Sequence, residues 1–312
     1  MADNNFIEQR SKKPSLLMRL GTWLISKQPE IFPRTHEGVA RYLEQRELPP
    51  DTPMPEKFNR RFNVEYWQAA GHDCLTLHPK AGKGAKHILY FHGGGFVLPM
   101  LKPHWPLVAA MVEETAASLT VPMYPLAPES SRKQQDKVAD AAWANLTRQW
   151  SPSEIILSGD SAGGHMALAL ALRQIRAGGA LPGKLALFAP WLDVTMADDA
   201  AREVEPHDVI LRVEALRAMG AAWAGDDEAG GPECSPLYAA EEELAQLPPT
   251  QMFVGQHDMF VIDNRTFARR LGAAGGSVKL YEYAGAPHVF MAVLNTREAK
   301  DCLRLVGEFV TA

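Results

Sequence analysis

A chain of 312 residues, 46% hydrophobic and 22% charged, has ordinary globular composition and enough apolar material for a sizeable core. Its net charge of −5 lacks the basic footprint that nucleic-acid binding needs, so a nucleic-acid partner is not expected. Three scattered cysteines, Cys74, Cys234 and Cys302, make neither a disulfide framework nor a metal-ligand spacing, and they fit a reducing, cytoplasmic setting.

Residues 1–58 read as helical and then proline-rich (Pro49, Pro50, Pro53, Pro55), with no strand pattern. Within them the apolar run Leu16–Ile25 is interrupted by Arg19 and is followed closely by no A-x-A-like cleavage site. It also falls short of the ~20 apolar residues a membrane span requires. It reads as part of an amphipathic helix in a soluble protein rather than one resting on a membrane surface.

From Phe62 onward, eight strand-like runs appear: Phe62–Ala69, Cys74–His78, His87–His92, Leu119–Tyr124, Glu154–Gly159, Lys184–Ala189, Thr250–Gly255 and Ser277–Tyr283. Helical periodicity fills the gaps between the later runs, as at Val138, Ala142 and Leu146, and returns near Arg297–Val310. Strands alternating with helices predict an α/β fold, a mostly parallel eight-stranded sheet covered on both faces. The first two runs are joined by Ala70-Gly71-His72-Asp73, too short for a crossover helix, so they should pair as an antiparallel hairpin. Residues 195–231 interrupt the pattern with acidic, alanine-rich helical sequence. The core therefore reads as 59–194 plus 232–312, with 1–58 and 195–231 as strandless additions.

Gly159-Asp160-Ser161-Ala162-Gly163 fits G-x-S-x-G and sits between the apolar run Ile155–Leu157 and the helical run Ala162–Ile175. Glycines are needed where so tight a turn would make side chains collide, and the serine is left beside a helix N-terminus. Upstream, His92-Gly93-Gly94-Gly95-Phe96 closes another strand, and consecutive glycines let backbone N–H groups turn toward a ligand. Acyl transfer needs such donors for its oxyanion, each worth ~3 kcal/mol of barrier. A phosphate loop is the rival reading, but neither of the glycine spacings that cradle phosphate is present. His92 reads as a brace for the loop.

Among ten histidines, His288 follows the strand ending at Tyr283, and Asp258 follows the strand ending at Gly255. Both fall at strand carboxyl ends, where a parallel sheet places its chemistry. Asp263 is the rival acid, but it lies within helical sequence, where a solvated or capping role is expected. Asp160 reads as a turn-stabilising residue, and the side chain of His257, next to Asp258, as pointing elsewhere.

Seven motifs then appear in order: His92–Phe96, Tyr124-Pro125-Leu126-Ala127-Pro128-Glu129, Gly159–Gly164, Pro190-Trp191-Leu192-Asp193, Ser235-Pro236-Leu237, Gly255-x-x-Asp258 and His288-Val289-Phe290. In these the chain resembles the hormone-sensitive-lipase-like carboxylesterases of the α/β-hydrolase superfamily. The resemblance implies a helical cap built from residues 1–58 and 195–231. It implies Ser161 as nucleophile, His288 as base and Asp258 as acid, with backbone N–H groups of Gly93, Gly94 and Ala162 as the oxyanion hole. No metal or organic cofactor is implied. Pro125 departs from the arginine common in relatives, and Ile262 stands where they tend to carry an acid.

The function expected is hydrolysis of small to medium carboxylic esters, with a small-molecule ester as the partner and a homodimer possible. Leu98, Met100, Trp105, Phe260, Val289 and Phe290 are the candidate lining of an apolar pocket. The alternatives are a ligand-binding receptor on the same scaffold, or an acyltransferase or amidase using the same triad.

Overall fold

The computed structural model describes residues 6–30, 32–48 and 50–312; Ile31, Pro49 and the first five residues of the 1–58 segment lie outside them. Its strands are β1 (Ile7–Ser11), β2 (Phe62–Ala69), β3 (His72–Pro79), β4 (His87–Phe91), β5 (Ser118–Pro122), β6 (Ile155–Asp160), β7 (Lys184–Phe188), β8 (Thr250–Gly255) and β9 (Val278–Tyr283). They form one sheet in the order β1-β9-β8-β7-β6-β4-β5-β3-β2. From β5 through β9 to β1 every pairing is parallel. Strands covered by helices on both faces need no polar alternation, and β4 and β6 are accordingly buried along their whole length. β2 and β3 form the expected hairpin. It closes through Ala70 and Gly71, both at positive φ (49° and 84°), the turn sense that matches strand twist.

The sheet has nine strands rather than eight, and the first comes from the region read as strandless. β1 pairs with β9, Ile7 opposite Leu280 and Ser11 opposite Tyr283. Four of its five residues are polar, which hides it from a hydrophobic pattern. It holds the sheet edge because its charges are met there: Glu8 by Lys279 at 3.1 Å and Arg10 by Asp301 at 2.9 Å.

The helix Leu16–Ile25 forms with the expected ends. Ser15 caps it by accepting the Met18 N–H, and donates its own N–H and hydroxyl to Glu298 at 2.7 and 2.8 Å. Met18 is buried, and Gly21 lies so close to Leu294 that a Cβ would come within 2.4 Å of a methyl group. The outward side differs from an amphipathic pattern: Leu16, Leu17, Leu20, Trp23 and Leu24 are all exposed. No helix among the described residues is long and apolar enough to cross a membrane.

Helix His36–Gln45 packs on helix Val213–Ala224, so the N-terminal segment and the 195–231 insertion meet. Arg46, at the end of the first of these helices, reaches into the core with its side chain only 2% exposed. Its guanidinium donates to the Val97 carbonyl, to the Ala127 carbonyl at 2.6 Å and to Glu129 at 2.9 Å. Arg46→Met strips three acceptors of their donor and should lower the unfolding free energy by about 2–4 kcal/mol, read from denaturant titration. A change within experimental error would show that Arg46 is not a structural tie.

Candidate active site

Ser161 sits between β6 and helix Ala162–Arg176 at φ 55° and ψ −122°, a conformation costing about 1–3 kcal/mol for a residue with a side chain. Its neighbours over-determine it. The Ser161 N–H donates to the Phe188 carbonyl at 2.9 Å, and its own carbonyl accepts from Trp191 at 3.0 Å and His165 at 3.1 Å. A Cβ at Gly163 would lie 2.0 Å from the Phe91 oxygen, and one at Gly159 2.4 Å from the backbone of Gly163. The glycines of G-x-S-x-G are thus a steric requirement of this crossing.

The glycine loop after β4 is braced from below. Asp160 is buried and accepts hydrogen bonds from the Gly93 N–H at 2.9 Å and the Tyr90 hydroxyl, with His104 Nε2 at 3.4 Å. Burial opposes its charge, but the attraction of His104 and these hydrogen bonds hold the carboxyl below its ordinary value. His92 bonds through Nδ1 to the Gly93 carbonyl at 2.8 Å and stacks on Tyr124. Burial and then the neighbouring His104 push its pKa down to about 4, which keeps it neutral as a brace. Phe96, at φ 64°, is sandwiched between Trp191 and Trp223, with ring centroids 5.4 and 4.1 Å away.

This bracing corrects one expectation. The Gly93 N–H is spent on Asp160 and cannot also face an oxyanion. Gly94 and Gly95, at φ 128° and 63°, line the cavity and donate no backbone hydrogen bond among the described residues. Ala162 opens its helix, where a first N–H has no intrahelical partner. The candidate donors are therefore Gly94, Gly95 and Ala162. Three consecutive glycines do not say which N–H is consumed; the carboxylate of Asp160 decides it.

His288 and Asp258 meet as their strand-end positions implied, Nδ1 to Oδ2 at 2.7 Å, with Asp258 fully buried. The second Asp258 oxygen accepts from the Phe260 N–H at 2.9 Å. The Phe260 ring stands edge-on to His288 and stacks on Trp191, which fixes the imidazole plane. Asp263, expected to be solvated, is buried instead. Burial and then Asp193 and Asp198 raise its pKa to about 7, so it is poorly suited to hold a cation. His257 stacks on His207 and takes no part.

Sequence reading missed a further carboxylate. Asp208, from the 195–231 insertion, is buried and accepts N–H groups of Ile210 at 2.8 Å and Leu211 at 2.9 Å through one oxygen. Its other oxygen takes the Met259 N–H at 3.1 Å, one residue past Asp258. Burial and then the charge of Asp258 raise its pKa to about 6. Burial works against a charge on His288, but Asp258, then Asp208 and Asp160, outweigh it and raise the imidazole above its ordinary value.

Ser161 and His288 share one cavity of about 270 Å³, at the small end for ligand pockets. Leu98 and Val289 line it. Met100, Trp105, Phe260 and Phe290 do not: Trp105 packs edge-on against Phe58 and donates to Thr52, Phe290 packs on Tyr283, and Met100 is core. Leu101, Pro103, Ala292 and Val293 of the core line the cavity as well, and the rest of the apolar wall comes from outside the core, with Ile25 and Phe32 on one side and Leu211, Leu216 and Met219 on the other.

A sequence profile described as alpha/beta hydrolase fold matches residues 88–292. The chain is 34% identical over 229 residues to an esterase of Acinetobacter venetianus, spanning 72% of this chain and 74% of that one. It is 30% identical over 240 residues to the carboxylesterase/phospholipase LipF of Mycobacterium tuberculosis, spanning 74% of this chain and 63% of LipF. A solved structure of a hormone-sensitive lipase from a metagenome library superposes with a TM-score of 0.78 at 27% identity, covering 94% and 96% of the two chains.

The electrostatics predict the titration of His288. Its imidazole, followed by NMR, should titrate above the ~6.5 of a free histidine, and Asp208→Asn should move that midpoint down by removing a negative neighbour. An unchanged midpoint in the variant would leave Asp208 a purely structural role.

Proposed function

We propose, for a chain that belongs to the alpha/beta hydrolase fold family and there to the hormone-sensitive-lipase-like carboxylesterases, that Ser161, His288 and Asp258 are its catalytic triad. The chain is a serine hydrolase that cleaves carboxylic esters. The observation that carries the residue assignment is a convergence on one cavity: a serine held in a strained turn, an Asp-paired imidazole, and glycine-loop N–H groups that bond no other acceptor among the described residues.

In this reading Ser161 Oγ attacks the ester carbonyl while His288 Nε2 takes its proton. Asp258, bonded to Nδ1, holds the tautomer and stabilises the imidazolium that forms. The N–H groups of Gly94, Gly95 and Ala162 receive the negative charge that develops on the carbonyl oxygen. Collapse of the tetrahedral adduct expels the alkoxide, which His288 protonates. Water then repeats the sequence on the acyl-serine and frees the acid. The buried, unpaired Cys74, Cys234 and Cys302 support a reducing, cytoplasmic setting as part of this reading.

Purified protein should hydrolyse p-nitrophenyl acetate and butyrate far better than the palmitate, whose chain exceeds so small a cavity. Ser161→Ala should lower kcat by at least about 10⁴-fold. Equal rates for the two proteins would remove Ser161 from the mechanism. Because His288 must be neutral to accept a proton and its pKa is raised, kcat/KM should fall as pH drops through a value above the ordinary imidazole range. A rate level down to pH ~5 would contradict His288 as the base.

A further inference from the structure

Ten large apolar side chains stay exposed among the described residues, and seven of them gather at one helix and the cavity beside it. Five lie on the outward side of helix Leu16–Ile25, and two more, Ile210 and Val293, belong to the wall of the catalytic cavity. The helix and the cavity are contiguous. Its last residue, Ile25, lines the cavity, and Gly21 packs on Leu294, next to Val293. The apolar surface therefore runs from the helix to the cavity mouth. The helix is not frayed chain, because Ser15 ties its start to Glu298 and Met18 is buried beneath it. A patch of this kind on an otherwise ordinary surface marks an interaction site.

The charges around it select the partner. Residues 11–29 carry Lys12, Lys13, Arg19 and Lys27 and no carboxylate, in a chain whose net charge is −5. A second copy, docked through the same patch about a two-fold axis, would bring two sets of these cations together with no carboxylate from residues 11–29 between them. A surface of anionic headgroups over an apolar layer complements both features. Lys27 lies over the ring of Trp23, 5.8 Å from its centroid, which puts an aromatic body and a cation together as an interfacial anchor requires.

We propose that helix Leu16–Ile25 docks this protein on an anionic lipid surface, with its leucines and Trp23 entering the headgroup boundary and the cavity mouth turned toward the lipid. The use of such docking rests on the ester-hydrolase reading: it would present the site to esters partitioned into the surface.

The test is flotation of the full chain with phosphatidylcholine vesicles, with and without phosphatidylserine, alongside the variant Leu20→Gln/Trp23→Gln/Leu24→Gln. These three side chains are exposed and lie outside the cavity wall, so the variant should fold and hydrolyse a soluble short ester at the wild-type rate. The expected result is binding to the mixed vesicles that is at least tenfold weaker to phosphatidylcholine alone, at least tenfold weaker in the variant, and lost as salt rises. Absence of binding, equal binding by the variant, or equal binding to uncharged vesicles would overturn the proposal. So would a wild-type dimer, absent in the variant, that floats with neither vesicle. A wild type that binds vesicles but hydrolyses no soluble ester leaves docking standing and overturns the catalytic reading instead.

Discussion

At the carboxyl ends of β4 and β6 two backbone segments cross with no room between them for a methyl group, since a Cβ at Gly163 would meet the Phe91 carbonyl oxygen at 2.0 Å. The rest of the site depends on that closeness. It forces Ser161 to positive φ, which lifts the hydroxyl out of the turn and starts the following helix at once, leaving its first N–H groups without acceptors. It also brings the residue before the serine under the neighbouring loop, where Asp160 captures Gly93 and Tyr90. Ser161 and the N–H groups around it are therefore positioned by close backbone contacts, with the Asp160 carboxylate bracing the glycine loop, and fixed donors of this kind are what electrostatic stabilisation requires.

The same crowding brings carboxylates close to one imidazole. Burying Asp160, Asp208 and Asp258 near each other would be prohibitive without donors, and each has its own set. Asp160 takes Tyr90 and Gly93 beside His104; Asp208 takes Ile210, Leu211 and Met259; Asp258 takes Phe260 and His288. The contrast is Asp263, where burial beside Asp193 and Asp198 pushes the carboxyl toward its neutral form. Asp193 itself accepts from Thr195, Ala197, Ser235 and Tyr238, so the Pro-Trp-Leu-Asp and Ser-Pro-Leu motifs join in one brace rather than in the reaction. Proximity alone does not make a carboxylate useful; the donors aimed at it do.

Local pattern and chain order carried the hairpin, the parallel core, the serine turn and the pairing of His288 with Asp258, because each is written in adjacent residues or in strand ends. What the pattern did not carry was decided at longer range. β1 is too polar to announce itself and is stabilised by Lys279 and Asp301, far along the chain. The choice between Gly93 and Gly95 rests on Asp160, 67 residues from Gly93. Trp105 lies close to the glycine loop in sequence, yet its ring packs on Phe58, and Phe260 meets His288 edge-on and stacks on Trp191 without lining the cavity. Asp208 is one acid among several in the 195–231 insertion, with Glu203 and Glu205 close by in sequence, and nothing local shows that it is the one to reach Met259.

The proposed site divides chemistry and substrate fit between parts of different construction. Ser161, Asp258 and His288 follow strand ends of the sheet, whereas Ile25, Phe32, Leu211, Leu216 and Met219 shape the cavity from segments outside the central sheet. Substitutions there change side-chain volume on the cavity wall, although Met219 also packs on the glycine loop, its Sδ 2.7 Å from where a Cβ on Gly95 would lie. Asp208 reaches further. It belongs to the insertion yet holds the N–H next to Asp258, so a shift of this segment changes both the charge felt by His288 and the backbone beside its partner. A buried carboxylate thus ties the insertion to the backbone beside Asp258.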